Sequence, residues 1–205
     1  MRRTKAEAAI TRESVLKAAL AVFSRKGYSA ATMEDIAREA GVTRGAIYWH
    51  YGSKAELFIA LELKYSALSG DIVQKAAAEG GGPAFILRRI FVSMLSAIES
   101  DAELRSVMEL SLFKTEHTYE LARAEKQNRD ISQAIQAEIA AAIQAGIAAG
   151  DLRRGLDPLE AARGYLAMLY GIIFLWLQDP QAFSLQKSAG PLTEVFLLGI
   201  QARKK

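Results

Sequence analysis

The sequence contains no cysteine. That excludes a disulfide framework, thiolate zinc sites, iron–sulfur ligation and any cysteine nucleophile, and it agrees with a reducing, cytoplasmic setting. Histidine is almost as scarce, with His50 and His117 the only two, far apart in the chain. Two distant imidazoles do not make a zinc site, and no HExxH, Walker loop, glycine-rich fingerprint or Ser/His/Asp set stands out. Neither a metal nor an organic cofactor is expected, and catalysis is not. Proline is limited to four residues, and no period-two alternation runs between hairpin turns, so β-structure finds no support. The longest uncharged apolar run, residues 164–177 (GYLAMLYGIIFLWL), falls short of the ~20 residues that span a bilayer, so a buried helix is expected there and no membrane partner. The charged N-terminal residues are not followed by the apolar stretch of a secretory signal.

What is present is a globular composition, 51% apolar and 24% charged, with helical periodicity almost everywhere. Phe85, Leu87, Ile90, Phe91, Met94, Leu95 and Ile98 form one stripe, and Ile131, Ile135, Ile139, Ala142, Ile143 and Ile147 another. Gly80–Pro83, Gly150–Pro158, Gln178–Pro180 and Gly190–Pro191 each read as a helix stop followed by a start. The fold class is therefore all-α, with about nine helices.

Charge is uneven. Residues 1–56 hold ten Lys/Arg against six Asp/Glu, a net of +4, while the remainder holds sixteen against seventeen, a net of −1. This first quarter also punctuates itself. Val15, Leu16, Ala19, Leu20 and Phe23 give helix 10–26 an apolar face, with Gly27 as its stop. Thr32 with Asp35 has capping-box spacing, Gly41 ends the short helix it opens, Thr43 caps a third from Arg44 to His50, and Ser53 with Glu56 opens a fourth. Two short helices joined around Gly41 are the layout of a helix-turn-helix. Ala37 is small where the two must approach, and Ile36, Val42 and Ile47 supply apolar pins. Arg44, Tyr48, Trp49, His50 and Tyr51 crowd a helix barely two turns long, which favours a DNA-reading surface over an ordinary core helix.

The segment 32–58, TMEDIAREAGVTRGAIYWHYGSKAELF, resembles the DNA-binding domain of the TetR family of bacterial repressors, and VTRGAIYWH (42–50) is similar to its AcrR-type branch, which represses multidrug-efflux operons. The resemblance implies a helix-turn-helix domain over 1–56 and a ligand-binding and dimerisation domain over 57–205. It implies a homodimer on a duplex DNA operator, released by a small-molecule inducer. Carried onto this chain, Arg44 and Gly45 would meet base edges, Thr43, Tyr48, His50 and Lys54 would hold phosphates, and Trp49 would lie on sugars or thymine methyls. Elementary chemistry agrees for Arg44, which can take a guanine edge bidentately, and for Gly45, which lets the backbone approach.

For the ligand side, Tyr65, Phe91, Met94, Met108, Leu112, Phe113, Tyr165, Met168, Leu169 and Ile172 suit a pliable apolar cavity, although at helical spacing such residues also serve as plain core. Met108 and Leu112 stand where efflux-repressor relatives carry histidine or asparagine, which favours apolar or aromatic ligands over cationic ones. Glu62, Glu109 and Glu116 are the possible polar handles. Leu192, Val195, Phe196 and Gly199 make the last helix more apolar than a monomer needs, and with 157–177 it is the expected dimer seam. The alternative is a related regulator of another pathway, with a different ligand or none.

Overall fold

The computed structural model of the chain describes residues 5–115 and 119–202. Glu116 and His117 lie outside the described residues. Among those described are nine α-helices and no β-pairing beyond one isolated bridge, Leu152 with Gln201. The helices are α1 (Lys5–Ala30), α2 (Met33–Ala40), α3 (Arg44–Tyr51), α4 (Lys54–Ala78), α5 (Pro83–Ser100), α6 (Ala102–Phe113), α7 (Ala122–Ala149), α8 (Pro158–Gln178) and α9 (Leu185–Ile200), with a 3-10 turn, Tyr119–Leu121, before α7. The chain packs as two compact units, one drawn from residues up to Ala67 and from Glu103–Lys126, the other from Leu68–Ala102 and from Gln127 onward.

The first unit contains the helix-turn-helix but reaches beyond residue 56, so packing and the expected functional division do not coincide. Val15, Ala19, Val22 and Phe23 bury one face of α1. At Gly27 the backbone turns to φ 75°, ψ 166° and the helical run breaks, where the glycine was expected to stop it. The chain then enters a small aromatic cluster in which the rings of Phe23, Tyr28 and Phe58 lie 5.2–5.9 Å apart. The Tyr28 N–H donates to the Lys114 carbonyl at the end of α6 (3.1 Å). The Tyr65 hydroxyl donates to Glu103 (2.9 Å), whose carboxylate also lies 3.6 Å from Lys17. These two ties bring α6 into this unit.

In the second unit, Leu87, Ile90, Phe91, Leu95 and Ile98 bury the stripe of α5 read from the sequence, while Phe85 remains exposed. α5 packs on α9 and α8, and the buried Tyr165 of α8 donates its hydroxyl to the Leu87 carbonyl (2.8 Å). α8 begins where Asp157 caps it, its carboxylate accepting from the N–H groups of Leu159 (2.8 Å) and Glu160 (3.0 Å). By length and composition this helix is apolar enough to cross a membrane. Tyr165, Leu169, Ile173 and Trp176 nevertheless bury one side of it in the unit's core.

One expected stop is corrected. Gly190–Pro191 does not divide two helices: α9 starts at Leu185, capped by Ser184, and runs through Pro191 to Ile200. Proline forfeits one helical hydrogen bond, but Leu185, Ala189, Thr193, Leu197 and Ile200 are buried along a continuous stripe that only an unbroken helix presents. Tertiary packing overrides the local signal.

Candidate nucleic-acid interface

α2 owes its start to a complete capping box, in which the Thr32 hydroxyl accepts from the Asp35 N–H (3.1 Å) and the Asp35 carboxylate accepts from the Thr32 N–H (3.2 Å). Lys26 (2.8 Å) and Arg38 (2.6 Å) pair with the same carboxylate. The hydrogen bond from Lys26, followed by that from Thr32, holds its pKa down to about 2. The helix stops at Gly41, which is left-handed (φ 65°, ψ 28°); the Gly41 N–H returns to Arg38 and the Val42 N–H to Ala37. Thr43 then caps α3 by accepting from the Ala46 N–H (3.2 Å). Ile36, Ala37 and Ile47 are buried and Val42 half-buried, as the helix-turn-helix spacing requires. α4 opens on half a box: Ser53 Oγ accepts from the Glu56 N–H (3.1 Å), while the Ser53 N–H turns back to Tyr51.

The caps set where α3 starts and stops, and the burial of Ile47 and Tyr51 decides which side of it faces outward. Thr43, Arg44, Gly45, Tyr48 and Trp49 are all exposed, Trp49 to 86%. The short helix thus offers hydroxyl, guanidinium and bare backbone to solvent at its N-terminal end and two aromatic rings further along, which are the chemical types that phosphates and base edges take. His50 is half-buried beside Tyr51.

Two residues behave differently from the outward set. Tyr51 is buried; its hydroxyl donates to the Arg12 carbonyl (2.9 Å) and the Arg12 guanidinium lies 5.4 Å over its ring. It fastens α3 to α1, a role that local spacing does not announce. Lys54 directs its ammonium to the Tyr28, Ala31 and Ser29 carbonyls at 3.0, 3.1 and 3.4 Å.

The residues expected to bind ligand are distributed over both units. In the first, Tyr65 is buried with its hydroxyl committed to Glu103, Met108 is half-buried, and Leu112 and Phe113 are exposed. Glu62 is hydrogen-bonded by Ser111, and Glu109 pairs with Lys114 at 3.7 Å. In the second unit, Phe91 and Tyr165 are buried with rings edge-on at 5.6 Å, Leu169 is buried, and Met94, Met168 and Ile172 are half-buried. Burial alone raises the Tyr165 phenol pKa. Ile172 also borders an open apolar groove of about 440 Å³ with Leu175, Phe183, Pro191 and Leu192.

Of the expected seam, Val195 and Gly199 are exposed, Leu192 is half-buried, and Phe196 turns inward with its ring 5.5 Å from that of Tyr165. The same two helices expose Leu198, another apolar residue of the last helix, and also Leu159, Tyr170, Phe174 and Leu175, which sequence reading did not single out. For Tyr170, Phe174 and Leu175 the signal was the absence of charge on any face of 164–177.

A helix-turn-helix with a polar and aromatic outer face, followed by an all-α unit with an exposed apolar face, defines a DNA-binding transcriptional regulator rather than an enzyme. The comparisons agree. Residues 15–61 match the bacterial regulatory proteins of the tetR family, and residues 82–201 match the C-terminal region of the MAATS-type transcriptional repressors. The chain is 34% identical over 200 residues to the HTH-type transcriptional regulator AcrR of Shigella flexneri, covering 96% of this chain and 92% of that one. Its fold matches NalD, the secondary repressor of the MexAB-OprM multidrug efflux pump in Pseudomonas aeruginosa, with TM-score 0.86 and 27% identity over 96% of this chain and 98% of that one. It also matches SmeT of Stenotrophomonas maltophilia in complex with triclosan, with TM-score 0.83 and 25% identity over 94% and 92% of the two chains. The chain belongs to the TetR family, as an AcrR-like transcriptional repressor.

Proposed function

We propose that the chain acts as a cytoplasmic homodimer that represses a multidrug-efflux operon and leaves its operator when an apolar or aromatic small molecule binds. The observation that carries the DNA half is the exposed row Thr43, Arg44, Gly45, Tyr48 and Trp49 on a helix fixed by caps at both ends. Arg44 and Gly45 meet base edges, Thr43, Tyr48, His50 and Lys54 hold phosphates, and Trp49 covers sugar or thymine methyls. One such helix reads too few base pairs to specify a site, so two copies related by a two-fold axis read a pseudo-palindrome with half-sites about one DNA turn, ~34–36 Å, apart.

The exposed apolar residues of α8 and α9 supply the surface on which two copies meet, and water is the wrong neighbour for them. For the ligand half, support comes from the half-buried apolar side chains Met94, Met168 and Ile172 of the second unit, together with the triclosan complex of a relative. Triclosan is itself aromatic and largely apolar, and it is the probe of choice.

The test is linkage. Triclosan titrated into the free protein and into the protein saturated with a duplex selected from a random-sequence pool should bind more weakly in the second case, by the same factor by which it lowers duplex affinity. A tenfold factor needs only ~1.4 kcal/mol of coupling. Equal affinities in the two titrations would remove triclosan as an inducer; failure of a wider set of aromatic compounds would favour the regulator without a small-molecule ligand.

A further inference from the structure

α6 carries an acid in its first turn, Glu103, and a lysine directly after its last, Lys114. Each charge sits at the end of the helix that its sign suits, and each also reaches across to α1. The Glu103 carboxylate lies 3.6 Å from Lys17 of α1 and 3.9 Å from Lys64 of α4, and it accepts from the Tyr65 hydroxyl (2.9 Å). Lys114 holds α1 twice, its ammonium donating to the Ser24 carbonyl (3.0 Å) and its own carbonyl accepting from the Tyr28 N–H (3.1 Å), so its two bonds straddle the break at Gly27. The ties are in register. Lys17 and Tyr28 are eleven residues apart, as are Glu103 and Lys114, so α6 runs beside α1 in the same direction, with Leu104, Val107 and Leu110 buried between its two ties. α1 in turn holds the recognition helix, through the Tyr51 hydroxyl on the Arg12 carbonyl (2.9 Å).

We propose that α6 belongs mechanically to the DNA-binding body, with Glu103 and Lys114 as positioning residues that fasten its two ends to α1, so that whatever displaces α6 displaces the helix to which the recognition helix is itself tied. The body that moves on the operator is then larger than residues 1–56. Met108, Leu112 and Phe113, the candidate ligand residues of α6, travel with the DNA-reading surface, and a ligand that grips them acts on that surface directly. The ion pairs of Glu103 and Lys114 are partly exposed and add little to stability on their own, which suits them to alignment rather than to folding. The relay rests on the ligand-responsive repressor proposed above; the fastening does not.

The variants are Glu103→Gln, which keeps an acceptor for Tyr65, and Lys114→Met, which keeps the carbonyl for Tyr28, combined in the full chain. With neither DNA nor ligand, native-state amide exchange in rising denaturant should show residues 107–110 of α6 opening together with 19–23 of α1 in the wild type, apart from 91–95 of α5. In the double variant the α6 amides should exchange roughly tenfold faster and leave that group, while the α1 amides keep their rate. Wild-type α6 amides that open with α5, or α6 amides that stay with α1 in the double variant, would overturn the proposal. In the second arm, the factor by which triclosan lowers duplex affinity should fall toward one in the double variant, with triclosan affinity for the free protein and duplex affinity without triclosan both within about twofold of wild type. An unchanged factor, or a duplex affinity that drops without triclosan in step with the melting temperature, would overturn it too, the second leaving Glu103 and Lys114 as stabilising residues only. A wild type in which neither triclosan nor another aromatic compound has any such factor would count against the ligand reading alone, and the exchange arm then decides the fastening.

Discussion

Arg44 donates from Nη2 to the phenol oxygen of Tyr48 at 3.3 Å, one turn further along α3, and its guanidinium lies 5.4 Å from the centroid of that ring. The long arginine side chain is thus ordered before DNA arrives, which reduces the entropy lost on contact. Arg44→Ala is expected to cost roughly 1–3 kcal/mol of duplex affinity and to relax preference at one base pair per half-site. Tyr48→Phe keeps the ring but loses both the acceptor for Arg44 and the hydroxyl proposed to hold a phosphate, and should cost roughly 1–3 kcal/mol on all duplexes alike. Fluorescence anisotropy with single-base variants of the selected duplex measures both, and intact base preference in Arg44→Ala would reassign the reading residue.

Asp35 gives the helix-turn-helix a defined acid sensitivity. Its carboxyl titrates at about 2, below the usual carboxylate range, because Lys26 and Thr32 hold the charged form. A depressed folded-state pKa means that folding favours the ionised carboxylate. That contribution is complete above the unfolded value of ~3.9 and is lost as the pH falls toward the folded value. Melting curves of the wild type and Asp35→Asn should therefore differ at pH 5 and converge toward pH 2; a constant gap across that range would refute the assignment.

Gly41 separates conformation from contact. Its φ of 65° is left-handed, yet a Cβ placed there would meet nothing within 4 Å. Gly41→Ala should cost about 1 kcal/mol from backbone strain alone, and Gly41→Asn less, because asparagine tolerates this region. Denaturant titration gives both values, and a neutral Gly41→Ala would show that the turn relaxes.

The exposed apolar face invites a charge. Val195→Asp combined with Leu198→Asp should give monomers that no longer bind the duplex, as read by sedimentation velocity and anisotropy. Both side chains are about two-thirds exposed, at 69% and 66%, so the subunit's own core is spared. Phe196 is the wrong probe, since its ring packs on Tyr165 and its loss injures the subunit itself. A double variant that stays dimeric would move the seam elsewhere.

The parts of the molecule legible in its sequence are those governed by local rules. Thr32, Gly41, Thr43 and Asp157 act through atoms within a few residues of themselves, so their spacing is enough to place α2, α3 and α8. The apolar stripe of α5 is legible for the same reason, because periodicity is a local property with a global meaning. What escaped depends on partners distant in the chain. Pro191 reads as a breaker until the buried stripe from Leu185 to Ile200 is known. Lys54 reads as a cation beside a helix start until Tyr28, Ser29 and Ala31 come round to meet it. Tyr65 reads as an aromatic for a cavity until its hydroxyl finds Glu103, thirty-eight residues away. Phe196 and Val195 are adjacent and equally apolar, and only the fold sends one inward and the other out.

The chain has two tryptophans, and the fold places them in opposite surroundings. Trp49 stands 86% exposed on the recognition helix, and Trp176 is 2% exposed in the second unit with its indole N–H donated to the Phe183 carbonyl at 3.0 Å. Their emission should therefore separate into a red, readily quenched component from Trp49 and a blue, protected one from Trp176. A duplex that covers α3 would shield the first from a soluble quencher and leave the second untouched, whereas loosening of the second unit would shift the second alone. The protein thereby carries two optical reporters, one in each unit, with no label attached.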